Sequence, residues 1–198
     1  MEEMPMCPTR ESDLDRALAN VSASSAGGAP FLLAFGLTLG LTGLAAFVVP
    51  VRVAALITLF QGNAALPLAF WLERRMGTAR LAPGNPLRPL SIQMAMSQVV
   101  ALPAVLLLYA LAPWTVPAGM AALGGGHFLP YAWLQRTRAY LVLGGVVSVG
   151  SCAMAFWLRE ATVPWTLLFV AAAYGTTAVV VRRRAAALVR RDTLAVAA

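Results

Sequence analysis

Phe31-Leu-Leu-Ala-Phe-Gly-Leu-Thr-Leu-Gly-Leu-Thr-Gly-Leu-Ala-Ala-Phe-Val-Val49 carries no charged side chain. Inside a bilayer the backbone amides of such a run find no water, so they must bond to one another, as a helix allows. A helix over residues 31–49 would be about 28 Å long, close to the roughly 30 Å hydrocarbon core of a membrane. Five more runs follow, at 53–72, 91–111, 116–134, 139–157 and 162–181, and none contains Asp, Glu or Arg. They lack the strict polar–apolar alternation that a membrane barrel needs. The expected fold is all-α, a bundle of six transmembrane helices.

Composition agrees. The chain has 198 residues, of which 60% are hydrophobic and 12% charged, with mean hydropathy +0.74. A soluble domain carries about 25% charged residues. A soluble enzyme of this composition could not cover its own surface, and that class is excluded.

All fifteen basic residues are arginines. Six crossings put both termini on one side. That side then holds Arg10, Arg16, Arg74, Arg75, Arg80, Arg88, Arg136, Arg138, Arg182, Arg183, Arg184, Arg190 and Arg191, and the other side keeps Arg52 and Arg159. Basic residues stay with the cytoplasm, so both termini are expected inside a bacterial plasma (inner) membrane. The net charge of +7 then reports orientation, with no nucleic acid as partner. Arg182, Arg183, Arg184, Arg190 and Arg191 are expected to meet anionic lipid headgroups.

The chain divides into a cytoplasmic tail (1–29), the membrane domain (30–184) and a basic cytoplasmic tail (185–198). Glu2 and Glu3 open the chain where a secretory signal would be basic, so no signal peptide is expected. Ser12 and Asp15 have capping-box spacing, and Leu14, Leu18 and Val21 share a face. An amphipathic helix lying on the cytoplasmic surface is expected there, followed by a flexible linker over 22–28. Cys7 and Cys152 lie too far apart in character to form a disulfide framework, and the single histidine, His127, makes no metal cluster. The chain has no Ser-His-Asp set, HExxH or phosphate loop, so no catalytic residue, metal or cofactor is expected, and the enzyme reading is the weakest.

Shifting the sequence by 63 residues lays Gln61-Gly-Asn-Ala-Ala-Leu-Pro-Leu-Ala-Phe70 over Gly124-Gly-Gly-His-Phe-Leu-Pro-Tyr-Ala-Trp133. Three parallel helical hairpins of one ancestral type would explain the match. Each segment puts Gly and a polar side chain near mid-membrane, with Pro a turn or two onward. Interrupted helices in matching positions point to a transporter site. Kinks or unwinding are therefore expected at 62–67 and 124–130. The candidate ligand-binding residues are Gln61, Asn63, Gly126, His127 and Tyr131, with the Gly126 carbonyl freed by Pro130. The competing reading is packing, since Gly, Ala and amides also join membrane helices. Glu73 is expected to pair with Arg136 or Arg138 at the membrane surface.

The segment 124–140 and the Asn-Pro-Leu at 85–87 resemble a family of small bacterial membrane proteins known as a domain of unknown function. The resemblance implies fold and location and transfers no activity. Two functions remain in view. One is a small permease or ligand-binding protein for a neutral or weakly polar molecule. The other is an accessory or assembly subunit of a larger membrane complex, partnered by other membrane subunits or by its own copies.

Overall fold

The computed structural model describes residues 9–77 and 81–197. It is helical, with no strand among the described residues. In chain order the helices are α1 (Thr9–Ser24), α2 (Ala29–Ala45), α3 (Val51–Phe60), α4 (Gly62–Met76), α5 (Arg88–Leu111), α6 (Val116–Leu134), α7 (Ala139–Leu158) and α8 (Thr162–Ala197). Short 3-10 turns at Ala26–Gly28, Pro113–Thr115 and Arg159–Ala161 join neighbours. Every expected span falls mainly on helix, the first ending early at Ala45 and the second divided between α3 and α4.

By length and apolar content, three stretches can cross a membrane: Ala26–Ala45, Arg88–Leu111 and Ala139–Ala187. The pair α3 and α4, bent by 41°, makes a fourth if taken as one broken span. Two reasons separate this from a count of six. The stretch 139–187 folds back on itself at Arg159, whose φ of 54° and ψ of −127° end α7, and α7 then packs against α8. Helix α6 is diluted by Gly124, Gly125, Gly126, His127 and two prolines, and is not among the qualifying helices.

Neighbours pack in the order α4, α2, α8, α7, α6, α5. Helix α3 touches α5 and α6 and closes the far side. The core lies along α2, α6, α7 and α8, around Leu32, Phe128, Val147, Leu167 and Tyr174. The tightest crossing is between α6 and α7. A Cβ on Gly125 would stand 2.6 Å from the Gly144 carbonyl oxygen, and a Cβ on Gly144 equally close to that of Gly125. Only glycine permits backbones this near.

The proposed repeat does not extend to the backbone. Helices α3 and α4 break at Gln61, whereas α6 runs unbroken through 124–130 despite Pro130. The break is held by a tertiary contact, as the Gln61 amide bonds the Thr38 hydroxyl of α2.

The basic tail expected at 185–198 continues α8 as helix to Ala197. Arg184 donates to the Arg136 carbonyl, at 2.6 Å, so it braces the protein's own turn and is not simply free for headgroups. The side chains of Arg190 and Arg191 lie outside the described residues.

The expected N-terminal helix is present as α1, with a different cap and a different partner for its apolar face. The chain is already helical at Thr9, so Ser12 lies within α1 and is not its capping residue. Its apolar face packs on the protein: Ala17, Leu18 and Val21 are buried against Leu87, Met94 and Leu134, while Leu14 is exposed. The 22–28 stretch is the end of α1 followed by the 3-10 turn Ala26–Gly28 rather than a loose linker. Ala26, Gly27 and Gly28 all have positive φ, and Tyr140 donates its hydroxyl to the Gly27 carbonyl at 2.6 Å.

Asn85 is the main polar anchor of α1. Its Nδ2 donates to the Ala17 carbonyl (2.9 Å) and to Asn20 Oδ1 (3.1 Å), and its Oδ1 accepts from the Leu87 amide (2.9 Å). Asn85→Ala is expected to destabilise this docking by about 1–3 kcal/mol, because a buried carbonyl loses its donor. Limited proteolysis should then cut within α1 well before the bundle. Unchanged cleavage in the variant would show that Asn85 does not anchor the helix.

Candidate functional site

A cavity of about 1570 Å³ lies inside the ring of helices, walled by α2, α3, α4, α5, α6 and α8. This exceeds the roughly 300–1,000 Å³ of an ordinary small-molecule cleft. Helices α4 and α5 both line it but make at most marginal contact with each other, so the ring is open along that side. Apolar side chains flank the opening: Leu66 and Phe70 on α4, Ile92, Met96 and Val99 on α5, all exposed.

The lining changes character along its length. The end where most arginines gather holds Glu73, Arg74, Arg88, Ser91 and Gln135. The middle holds Gln61, Asn63, Gln98, His127 and Tyr131. Beyond them the wall is Leu39, Leu59, Leu102, Leu106 and Met120, and the one hydroxyl there, Thr58, donates to its own helix at the Ala54 carbonyl. Polar contacts thus run from one end to mid-depth and stop.

Four of the five expected ligand residues meet in this space. Gln61, Asn63, His127 and Tyr131 line it from α4 and α6 and from the break before α4. Gln61 is buried and engaged with Thr38, so it shapes the break. Asn63 is exposed. The His127 Nδ1 lies 3.3 Å from the Ser97 hydroxyl of α5, and its ring stands 4.9 Å from that of Tyr131. His127 therefore ties the sparsely packed α5 to α6 as well as facing the cavity. Gly126 is the exception. It is exposed but absent from the lining, and a side chain there would meet nothing within 4 Å. Gly124 lines the cavity instead.

The expected ion pair is also corrected. Arg136 Nη1 pairs with Asp15 Oδ1 of α1 at 2.8 Å. Among the described residues Glu73 and Arg138 form no ion pair. Docking of α1 explains this, since it brings a carboxylate from far along the chain to the end of α6. Sequence reasoning had no local signal for Asp15, Asn85 or Thr38 as partners, because each acts across a tertiary contact.

Glu73, just past the apolar stretch of α4, is half-buried at the cavity mouth. Burial raises its pKa from the ordinary 4.5, because the charged form loses water. The folded protein thus holds this proton to higher pH than the unfolded chain, and stability falls as pH rises from 4.5 through the raised value. Glu73→Gln is expected to melt higher than the parent at neutral pH and at the same temperature in acid. A variant with a lower melting temperature at neutral pH would refute the desolvation account.

A family model described as a family of unknown function, DUF7010, matches residues 14–184. The chain belongs to that family. The DUF7010 match begins in α1 and ends within α8, so it takes in the docked helix, the bundle and all the cavity residues named above. No curated protein and no solved structure matches the chain.

Proposed function

We propose that this protein crosses a bacterial plasma membrane six times, with both termini cytoplasmic, and binds a neutral or weakly polar molecule in its cavity. Helices α2, α5, α6, α7 and α8 and the broken pair α3–α4 supply the crossings. The low hydropathy of α6 is tolerable because Gly125 lies against Gly144 of α7, and Gly124 and His127 face the cavity, away from lipid. The arginine-rich end of the bundle faces the cytoplasm.

One observation carries the ligand reading. A cavity of about 1570 Å³ opens sideways between α4 and α5, where apolar solutes can enter directly from the bilayer. Its mid-depth amides and imidazole would orient a molecule with a few polar groups. The polar lining ends at mid-depth, which fits a binding or loading site rather than a continuous aqueous pore. As a small permease, the protein would need a second state that extends this path.

Native mass spectrometry of the protein released from gentle detergent tests the reading. A retained small molecule on a bare chain is the expected result. A chain with an empty cavity and a stoichiometric membrane subunit attached would overturn it in favour of the accessory role.

A further inference from the structure

We propose that the molecule in this cavity is a zwitterionic phospholipid with a primary ammonium, its phosphate held by Arg74 and Arg88 and its ammonium by Glu73. The inference rests on the ligand reading above and narrows it to one chemical class. Such a lipid is neutral overall and amphiphilic.

Three ionic side chains sit at the cavity mouth without ion-pair partners among the described residues. Glu73 and Arg74 end α4, and Arg88 begins α5 on the other rail of the lateral opening. A half-buried carboxylate without a partner is unfavourable, and a cation donating hydrogen bonds would relieve it. Two guanidinium groups flanking one gap suit a phosphate, whose oxygens match the guanidinium fork. Between them these groups offer one site for a cation and two for an anion.

Beside the charges the mouth is walled by a packed amide. Gln135 is buried and lines the mouth; its Nε2 donates to the Ser25 hydroxyl at 3.2 Å, while its Oε1 has no partner. The lateral opening beside it is flanked by Leu66 and Phe70 of α4 and Ile92, Met96 and Val99 of α5, apolar surface along which an acyl chain can lie. A headgroup in this position enters from the cytoplasmic leaflet.

The chemistry ranks possible lipids. An ethanolamine head supplies both a phosphate and an ammonium with N–H donors. A choline head supplies a cation without N–H donors, and a glycerol head supplies the phosphate with no cation for Glu73. Detergent-purified, delipidated protein titrated with short-chain phosphatidylethanolamine, phosphatidylcholine and phosphatidylglycerol tests this ranking. Phosphatidylethanolamine should bind roughly tenfold more tightly than the other two, the scale of one hydrogen bond to a charged group. Glu73→Gln should reduce that preference to within about twofold, and Glu73→Asp should retain part of it. Arg74→Gln with Arg88→Gln should weaken all three lipids together.

Equal binding of the three lipids by the parent protein, unaltered by Glu73→Gln, would overturn the headgroup assignment. If lipid is still displaced by filling the cavity through Leu66→Trp, the ligand reading stands while the assignment falls. If Leu66→Trp also changes nothing, both fall.

Discussion

Gly125→Leu is expected to remove most of the folded protein, while Gly126→Leu one position away is expected to be tolerated. The Cβ of the first would lie 1.9 Å from the Ser148 hydroxyl oxygen and 2.6 Å from the Gly144 carbonyl oxygen. A serine side chain can turn aside. A carbonyl cannot, so α6 and α7 must separate along one of the most extensive interfaces in the bundle. Overpacking within a core costs about 1–3 kcal/mol when side chains alone can adjust, and more when backbone must move. At Gly126 a side chain would meet nothing within 4 Å. Melting curves in detergent separate the two variants. Equal melting temperatures would show that the α6–α7 crossing is looser than described.

Leu66→Trp is expected to abolish ligand retention and leave the fold intact. Leu66 lines the cavity from α4 and is 43% exposed, so an indole there extends into open space instead of into packed side chains. Substitutions at such positions shift stability by roughly 0.5 kcal/mol or less. The retained molecule should vanish from the native mass spectrum while the melting temperature of ligand-free protein stays put. Retention equal to that of the parent protein would place the ligand elsewhere.

The helical class was legible from the uncharged runs alone, since a bilayer permits few other arrangements. Arginine placement likewise foretold that most of the cations would gather at one end. Depth along the spans was enough to bring Gln61, Asn63, His127 and Tyr131 into one cavity. What sequence could not give is which faces meet. Pro130 singles out the Gly126 carbonyl four residues earlier, yet a helix turns by about 100° per residue, and that rotation puts Gly126 outside and Gly124 inside. Proline was likewise an unreliable marker of the break. Pro67, Pro103 and Pro130 all sit within continuous helices, and the break falls at Gln61, where Thr38 holds the amide. The docking of α1 depends on Asn85 and Arg136, more than sixty residues away in the sequence. Surface attachment and docking present the same amphipathic pattern, so the pattern could not choose between them.

The sideways opening between α4 and α5 is the feature from which the ligand reading follows. Spin labels on single cysteines at positions 66 and 99, in protein lacking Cys7 and Cys152 and reconstituted in bilayers, test it directly. Position 100, where Val100 is 82% exposed on α5, serves as the lipid-facing reference. Molecular oxygen dissolved in the bilayer should relax the labels at 66 and 99 nearly as strongly as the label at 100, with a water-soluble nickel reagent doing little at any of the three. Labels at 66 and 99 that are immobile and shielded from oxygen would mean that α4 and α5 close on each other in the membrane, and the account of a bilayer-fed cavity would fail.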